Sequence, residues 1–394
     1  MKILSIETSC DETALSIIDA GGELDAPTFS ILSNQIASQI EIHKEYGGVF
    51  PALAKREHSK NILPLLEKTL NDAHVINSGS TTVNEDAQKK AHSILEREDM
   101  LSTQLLEYVS SHEIPDIDLI AVTYGPGLEP ALWVGLNFAK ALSVLWNKTL
   151  IPVNHMEGHL VSSLLSIDND PTGIQKINKV EFPAISLLIS GGHTELVLVK
   201  NWMDYTILGE TVDDAVGEAF DKVARMLELP YPGGPEISKL AEKSSTSDLE
   251  ITLPRPMINS KDYNFSFSGL KTAVLYKLKE FPEITDDIKI TIAKEFQNAA
   301  TDVLIKKTMR AADEYGAKTI LVGGGVAANT HIRETLENES ENRDLMLRIP
   351  RKDIATDNSI MIGMAGYFRY LGSKNGTIDL PDPHPLRACG NLGL

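Results

Sequence analysis

The chain has 394 residues, of which 42% are hydrophobic and 23% are charged, and its formal net charge is −18 at pH 7. This length and composition are typical of a globular protein with two domains or one bilobed unit, and the negative charge argues against bulk, non-specific binding of nucleic acid. No apolar run approaches the ~18 residues of a membrane span, and the N-terminus lacks the pattern of a secretory signal. Two cysteines at opposite ends, Cys10 and Cys389, argue against a disulfide framework and favour a reducing compartment.

The first predicted element is a β-hairpin. Two apolar runs, KILSI and ALSIID, flank a polar bend, ETSCDET, which is either a solvated acidic turn or a site. The run FSILSNQIAS predicts a further strand, and apolar residues at helical spacing predict a helix from Phe50 to Leu70 with a kink or break at Pro64. Residues 77–88 are polar and predict an exposed loop or a disordered insertion, after which a helix is expected from Lys89 to Ser111.

Two strand–turn–helix segments come next, DLIAVTYGPGLEPALWVGLNFAKAL, whose helix should start near Glu129, and TLIPVNHMEGHLVSSLL. A second hairpin, FPAISLLISGGHTELVLV, begins at Phe182 and repeats the design of the first. The helix DDAVGEAFDKVARML, the turn YPGGP, the strand–turn–helix KTILVGGGVAANTHIRETL and the helix NSIMIGMAGYFRYL follow. Both halves share the order hairpin, helices, strand–turn–helix, which predicts an α/β fold built by duplication.

Three glycine-containing turns end apolar strands, at Gly125–Gly127, Gly191–Gly192 and Gly323–Gly325. Glycine lets backbone N–H groups approach an anion, and a helix that begins at such a turn adds the positive end of its dipole. One such turn by itself is more often structural. Three of them, with a polar hairpin in the same chain, favour a nucleotide or phosphate ligand, although neither a Walker loop nor a Rossmann fingerprint is present.

The string HMEGH places His155 and His159 four residues apart on one face of a helix, where two imidazoles suit one metal ion. Such a pair also arises by chance, so a surface pair without a ligand is the alternative on spacing alone. A zincin-type metalloprotease needs Glu directly after the first His, but Met156 stands there and Glu157 follows, so that chemistry is disfavoured. A distant carboxylate would have to supply a third ligand.

Several aspartates adjoin predicted helices. Asp357 precedes a helix-like run and by itself predicts a helix cap. Asp213 and Asp214 are expected in the first turn of a helix, where the dipole favours carboxylates. Asp221 lies in the middle of that helix, where aspartate has poor propensity. This position hints at a ligand contact such as ribose hydroxyls, with a solvated face as the alternative.

Eight strings together resemble the TsaD (YgjD) family of tRNA threonylcarbamoyltransferases, in its bacterial and organellar branch: IETSCDET, HMEGH, SGGHTEL, GEAFDKVARML, YPGGP, FSFSGLKT, GGGVAAN and TDN. The resemblance implies an α/β fold of the actin-like, Hsp70-like ATPase type, with two lobes of duplicated βαβ-type domains around a central cleft. The lobes are expected at 1–150, completed by 358–394, and at 151–357. The polar insertion near 75–90 departs from most bacterial relatives.

The resemblance also implies a reaction, the transfer of threonylcarbamoyl from threonylcarbamoyl-AMP to N6 of the adenosine 3′ of the anticodon, in tRNAs that read codons beginning with A. It assigns one divalent metal ion, iron or zinc, to His155, His159 and Asp357. Asp11 is expected to position or deprotonate the incoming amine, with Glu12 as the second candidate. The donor, and ATP or ADP in the same cleft, are expected to contact Leu188, Ile189, Ser190, Gly191, Gly192, His193, Asp221, Gly234 and Asn329.

The partners implied by the resemblance are tRNA and a separate synthase that supplies threonylcarbamoyl-AMP. The chain is expected to act as a homodimer in the mitochondrial matrix, with the bacterial cytoplasm as the alternative location; the insertion favours the organelle. Because the net charge is −18, tRNA must meet a local basic surface. Lys55, Arg56 and Lys60 on a predicted helix are candidates for it, and a solvated helix face is the alternative.

Three other functions stay open at this point. A small-molecule kinase or ATPase of the same fold would share the hairpins and the adenosine turn, but it would not need the His–Asp cluster. A metalloprotease would need a glutamate placed to serve as base. A nucleotide-gated scaffold without enzyme activity would need neither the cluster nor the carboxylates of the first bend.

Overall fold

Each of two units of the chain is built around one mixed β-sheet. A computed structural model describes residues 1–76, 79, 83–165, 173–243 and 249–394. Unit one consists of Met1–Asn178 and Asp357–Leu394, and unit two consists of Lys179–Thr356. The two units have closely similar strand topologies, which confirms the repeated order of elements predicted from the sequence.

The strands lie where apolar or alternating runs predict them, and their bounds in chain order are β1 (Lys2–Glu7), β2 (Glu12–Gly21), β3 (Thr28–Ser38), β4 (Leu119–Gly125), β5 (Thr149–Asn154), β6 (Gln175–Lys176), β7 (Ala184–Ile189), β8 (Thr194–Asn201), β9 (Asp204–Glu210), β10 (Thr319–Gly323) and β11 (Met346–Arg348).

The helices in chain order are α1 (Ile40–Lys44), α2 (Pro51–Asp72), α3 (Glu85–Ile94), α4 (Asp99–Ser111), α5 (Glu129–Trp146), α6 (His155–Ser162), α7 (Val216–Met226), α8 (Gly233–Ala241), α9 (Ser268–Lys279), α10 (Asp286–Tyr315), α11 (Thr330–Glu341) and α12 (Ser359–Lys374), with short 3-10 helices at Gly325–Ala328 and Lys352–Ile354.

The sheet of unit one has the strand order β5-β4-β1-β2-β3-β6. Strands β1, β2 and β3 form an antiparallel meander, and β4 and β5 run parallel to β1. Leu4 and Ile6 of β1 join a core with Ile62 and Leu66 of α2, while Ser5 points to the opposite face, toward Gly363 of α12. Because both faces are covered, the central strands read as nearly continuous apolar runs.

The sheet of unit two repeats this plan in the order β11-β10-β7-β8-β9. Strands β7, β8 and β9 form the meander, and β10 and β11 run parallel to β7. Its core combines the inward side chains of β7, β8 and β10 with α7, α9 and α10. Each meander therefore presents one hairpin bend next to the carboxyl ends of parallel strands, the usual place for ligands in open α/β sheets.

The boundary between the units differs from the predicted one. The sequence placed it after residue 150, but β5 pairs with β4 in register from Thr149 to Asn154, and α6 follows β5 directly. The hydrogen bonds of β5 therefore keep the following helix in unit one, and the observed boundary lies at Asn178.

The helix predicted from Lys89 to Ser111 is wrong as a single element. It is two helices, α3 and α4, and α3 already starts at Glu85 inside the predicted loop, where the side chain of Asn84 accepts a hydrogen bond from the N–H of Asp86. An asparagine cap followed by acidic residues is a helix start, which the low apolar content concealed. Residues 77, 78 and 80–82 of the predicted insertion lie outside the described residues.

Two further local expectations are corrected. The break predicted as one outcome at Pro64 does not occur, because helix α2 continues through it as one element. The flanking Ile62 and Leu66 are fully buried, and their packing outweighs one lost backbone hydrogen bond. Asp213 and Asp214 lie before α7 rather than in its first turn. Asp213 accepts hydrogen bonds from the N–H groups of Phe267 and Ser268 at the start of α9.

Candidate active site

The first part of the site is the start of α6, where the string HMEGH forms the first five residues of the helix. The side chain of Asn154 accepts a hydrogen bond from the N–H of Met156 at 2.8 Å and so caps the helix. His155 and His159, one turn apart, are both buried. The predicted helical spacing of the two imidazoles is therefore present, and the surface alternative does not apply.

Asp357 comes to the two histidines through the packing of α12 on α6. A Cβ on Gly158 would lie 3.0 Å from Cδ1 of Ile362, so the glycine lets the two helices approach closely. Asp357 itself does not cap α12; the side chain of Asn358 accepts from the N–H of Met361 instead. The carboxylate of Asp357 is thus left to face α6.

The three side chains converge on one point. Nε2 of His159 lies 3.0 Å from Oδ1 of Asp357, and Nε2 of His155 lies 3.4 Å from the same oxygen. One ligand atom of each side chain lies within 4.8 Å of the others. Two imidazoles and one carboxylate are a donor set that catalytic zinc and non-haem iron sites use.

Glu7 is a functional candidate that the sequence reasoning left without a role. It ends β1 with its side chain fully buried, and its Oε2 lies 3.0 Å from Nδ1 of His155. The carboxylate also accepts from the N–H of Ser9 and the hydroxyl of Thr123, both at 2.5 Å. In the sequence, only its place at the end of an otherwise apolar strand marks Glu7 as a candidate.

The contact with Glu7 decides which nitrogen of His155 can bind a ligand. An ionised carboxylate only accepts, so Nδ1 of His155 carries a proton, and Nε2 is the ring nitrogen that faces Asp357. Burial opposes charge on His155, but the carboxylates of Asp357 and Glu7 outweigh it and hold the pKa of His155 well above its ordinary value. A cation is therefore favoured at this place, whether it is a proton or a metal ion.

His159 presents its Nε2 to the cluster as a neutral imidazole. Its Nδ1 is buried and has no hydrogen-bond partner among the described residues, while Nε2 faces Asp357. Burial lowers the pKa of His159, which keeps its ring neutral, and neutral imidazole is the form that binds metals. The residues present therefore fit a divalent iron or zinc ion.

Glu157, the acid that a protease reading of HMEGH would need, is engaged elsewhere. It is fully buried and forms an ion pair with Arg369 of α12. The carboxylate is therefore directed to α12 and is held there by a charged partner. This arrangement argues against a metalloprotease.

The bend of the first hairpin carries the predicted catalytic acids. Asp11 is 7% exposed, and burial, with the charge of Asp357, raises its pKa. Burial and the neighbouring charges of Asp11 and Asp357 raise the pKa of Glu12 to about 10. Glu12 therefore keeps its proton at neutral pH and hydrogen-bonds to Asp11, which is the member of the pair that can accept a proton.

The predicted nucleotide contacts all belong to unit two. Leu188 and Ile189 end β7, and residues 190–193 form the turn to β8. Within this turn, Oγ of Ser190 accepts from the N–H groups of Gly192 and His193 at 3.3 and 3.0 Å. The Ser190 side chain thus stabilises the backbone conformation of the turn.

The remaining nucleotide candidates of unit two lie in the middle of α7 (Asp221) and at the starts of α8 (Gly234) and α11 (Asn329). Asp221 of α7 accepts from the N–H of Gly233, the first residue of α8, at 2.7 Å. Asn329 accepts from the N–H of Ile332 and so caps α11, and its amide donates to Ser238. Asp221 and Asn329 both form hydrogen bonds to residues of α8. The two predicted contact residues therefore lie in one region.

At three positions of this region a side chain would fit, although the residue is glycine. A Cβ built on Gly191, Gly192 or Gly234 meets no atom within 4 Å, and none of the three has a positive φ. Neither packing nor backbone conformation therefore requires the missing side chain. The space that a Cβ would fill lies open to a ligand.

Comparison with known proteins identifies the family. A sequence model described as "TsaD: tRNA N6-adenosine threonylcarbamoyltransferase" matches residues 30–78 and 97–364. The chain belongs to the TsaD family. The predicted family and its transferase activity on tRNA are confirmed. Between its two matched segments the family model leaves out residues 79–96, which contain the end of the predicted insertion and all of α3.

Members of the TsaD family resemble the chain over its whole length. The tRNA N6-adenosine threonylcarbamoyltransferase of Persephonella marina is 42% identical over 96% of this chain and 93% of its own. That of Thermosipho africanus is 43% identical over all of both chains. Both relatives are bacterial, and no mitochondrial origin follows from them.

The fold has a counterpart among solved structures. The crystal structure of HypF from T. kodakarensis matches with a TM-score of 0.50 and 13% identity, over 74% of this chain and 45% of that one. The predicted α/β fold of the actin-like type is confirmed. None of the described helices combines the length and the low polarity that a membrane-spanning helix needs.

Proposed function

We propose that this chain transfers the threonylcarbamoyl group from threonylcarbamoyl-AMP to N6 of the adenosine 3′ of the anticodon, in tRNAs that read codons beginning with A. The observation that carries the proposal is the convergence of His155, His159 and Asp357 in the same unit as the acidic bend at Asp11. A kinase of this fold has no use for such a cluster.

The cluster would hold one divalent ion, iron or zinc, through the Nε2 atoms of the histidines and the carboxylate of Asp357. When bound, such an ion supplies Lewis-acid polarisation of a donor oxygen. Glu7 accepts the Nδ1–H of His155 and thereby fixes the tautomer that leaves Nε2 available. Glu7 thus acts on the site through His155.

The protein's own groups handle the proton of the reaction. The bond from N6 to the carbamoyl carbon forms, the bond from that carbon to the phosphate oxygen breaks, and AMP leaves with the electron pair. N6 loses one proton, and we assign its acceptance to the carboxylate of Asp11. Glu12, which is protonated because its pKa is about 10, donates to Asp11 and holds it in place.

The adenylate part of the donor would be bound in unit two. The open backbone at Gly191, Gly192 and Gly234 offers room for phosphate or sugar at the turn and at the start of α8. Asp221 and Asn329 supply polar groups in the same region. The dipole at the start of α8 favours an anion there. ATP or ADP could use the same groups.

The tRNA would meet a basic stripe on α2. Arg56 and Lys60 have side chains that are 73% and 72% exposed, and both lie 3.5 Å from the carboxylate of Glu57. Lys55 is held by Glu98 at 2.6 Å, so it is the least available of the three predicted cations. We propose Arg56 and Lys60 as phosphate contacts.

We also propose that a separate synthase supplies threonylcarbamoyl-AMP and that the chain acts as a homodimer. The bacterial relatives favour the bacterial cytoplasm over the mitochondrial matrix that the insertion suggested. Fractionation of the source cells would distinguish the two locations.

Reconstitution tests the function directly. The chain is incubated with the synthase, ATP, threonine, bicarbonate and unmodified tRNA, and the digested nucleosides are analysed by mass spectrometry. We expect threonylcarbamoyl-adenosine only when the chain and the synthase are both present, and only in tRNAs that read codons beginning with A. Steady release of ADP from ATP and a small-molecule acceptor, without modified tRNA, would instead establish a kinase.

A further inference from the structure

The bend that carries Asp11 is held from behind by buried polar side chains. The carbonyl of Cys10 accepts from Nε2 of His58, on α2, at 3.0 Å. The carbonyl of Asp11 accepts from the backbone N–H of Gln39 at 2.9 Å. Both peptide planes that flank the Cα of Asp11 are therefore fixed by groups outside the hairpin.

The hydrogen bonds of His58 determine its protonation. A carbonyl only accepts, so Nε2 carries the proton, and Nδ1 faces the hydroxyl of Thr13 at 2.7 Å. Burial lowers the pKa of His58 to about 4, so the ring is neutral at physiological pH and Nδ1 accepts from Thr13. Each ring nitrogen thus faces a group of complementary donor or acceptor character.

The hydrogen-bond network continues from His58 to Gln39 and His43, and it restricts where their protons can lie. The amide nitrogen of Gln39 lies 3.5 Å from Nδ1 of His58, and its oxygen lies 3.2 Å from Nε2 of His43. Nδ1 of His43 in turn faces the N–H of Phe50 at 3.4 Å. Both histidines therefore carry the proton on Nε2. The orientation of the Gln39 amide follows from these two histidines and from the carbonyl of Ala54, which lies 3.5 Å from the amide nitrogen.

Burying four polar side chains costs free energy that a purely apolar core at this place would not require. His58, His43, Gln39 and Thr13 are each at most 1% exposed, and buried polar groups lose hydration that apolar side chains of the same volume would not. What the network provides is a specific arrangement of the backbone, because its donors and acceptors are satisfied in this arrangement. The backbone that it holds is that of the acidic bend.

We propose that His58 is a positioning residue for Asp11, which it serves by holding the Cys10 carbonyl and thereby the direction of the Asp11 side chain. The inference rests on the proposed function, since it concerns the residue that accepts the N6 proton. Strand pairing holds only the peptide after Asp11, through the bond from the N–H of Gln39 to the Asp11 carbonyl, and it does not fix the peptide before Asp11. His58 supplies the missing constraint.

Kinetics of a matched set of variants test the inference. His58→Leu removes both hydrogen bonds, and we expect kcat to fall about 100-fold, the usual cost of a small misplacement, with KM for donor and tRNA within about threefold. His58→Gln places an amide N–H near the position of Nε2, and we expect it to recover at least about tenfold of that loss. Thr13→Val leaves the bond to Cys10 intact, so a loss of about threefold is expected.

A stability control separates positioning from folding. Ile62→Val lies one turn further along α2, is fully buried and removes one methylene, so it lowers the melting temperature without touching the bend. We expect its kcat to be unchanged. If kcat follows melting temperature across all variants, or if His58→Gln loses as much as His58→Leu, the inference is wrong. Should His58→Leu not fold, His58→Gln and Thr13→Val compared with the parent chain still decide it.

A double variant tests whether His58 acts through Asp11. In an Asp11→Asn background, His58→Leu should lower the residual rate by less than about threefold, because the group that it positions is already lost. An undiminished 100-fold loss would overturn the inference. Side-chain ¹⁵N spectra of histidine-labelled protein should show His58 neutral with the proton on Nε2. A different tautomer would also overturn the inference, even if the parent chain modified no tRNA and the proposed function itself had failed.

Discussion

The two hairpins of this chain each bury a glutamate, with opposite consequences. Glu7 of the first hairpin receives three donors, from Ser9, Thr123 and His155. Burial opposes its charge, but the positive charge and hydrogen bond of His155 outweigh that effect and lower its pKa. Glu195 of the second hairpin lies opposite Glu210 in the sheet register, and its Oε2 has no hydrogen-bond partner among the described residues.

This difference shows that one strand plan can place a buried glutamate among donors or without them. The two sheets share the order of five strands, so topology does not decide which buried carboxylate receives hydrogen-bond donors. In unit one, donors and acids gather at the bend and at the start of α6. In unit two, the bend offers open backbone at its glycines. A charged group is tolerated in the interior only where specific partners reach it.

The largest expected effect is that of His155→Ala, which removes one of the three proposed metal ligands. Bound metal should fall from one equivalent to less than about a tenth, and transfer to tRNA should drop by at least about 1,000-fold, while the melting temperature stays within a few degrees. Metal analysis and the nucleoside assay measure these quantities. His92→Ala, outside the cluster, is the control, and full activity of His155→Ala would remove the metal role.

Asp11→Asn should follow, with transfer reduced by about 100- to 10,000-fold, because asparagine cannot accept the N6 proton. Binding of the donor, measured by calorimetry, should stay within about threefold. Lost donor binding would instead make Asp11 a ligand contact, and would weaken the contrast between an acidic, chemical bend in unit one and a binding turn in unit two.

Glu7→Gln tests the partnered glutamate itself. The amide is neutral and offers His155 one acceptor instead of a charge, so metal affinity should fall about 10- to 100-fold, as measured by competition with a chelator. Glu195→Gln serves as the control in the other hairpin and should leave metal affinity unchanged. An unchanged affinity in Glu7→Gln would mean that His155 needs no orienting partner.

Gly191→Ala examines the open turn of unit two. Since a Cβ there meets no protein atom within 4 Å, stability should not change, but affinity for the adenylate donor should fall about tenfold because the methyl occupies space for the ligand. Gly269→Ala, on α9, is the matched control. If Gly191→Ala binds the donor normally, the nucleotide is not at this turn.

The smallest expected effect concerns the pH dependence of Glu195. Burial, with the charge of Glu210, raises its pKa to about 7, above its ordinary value of 4.5, so the folded state prefers the neutral acid. The stability that this group contributes is full below pH 4.5 and is lost as the pH rises to about 7.

Glu195→Gln should therefore stabilise the protein at pH 8, by on the order of 1–3 kcal/mol, and should leave its stability at pH 4 nearly unchanged. Melting temperatures at the two pH values measure this difference. Equal effects at both pH values would show that Glu195 does not titrate in this range. The pKa values of Glu7 and Glu195 would then not be shifted in opposite directions.

Much of this architecture could be read from local patterns. The hairpins, the start of α5 at Glu129 and the helix that bears HMEGH appear where periodicity and turn residues put them. The helix at 89–111 failed because its start depends on the cap at Asn84 rather than on apolar spacing. The boundary after residue 150 failed because the pairing of β5 with β4 joins residues far apart in sequence.

The sequence by itself determined the duplicated order of elements, the family, and the two histidines one helical turn apart, since these depend on spacing along one segment. Only the tertiary structure decided that Asp357 reaches them instead of capping α12, that Glu7 orients His155, and that His58 holds the acidic bend. The physical reason is that each of these contacts joins segments tens to hundreds of residues apart. Such contacts form through packing of helices on a sheet, and no local pattern specifies them.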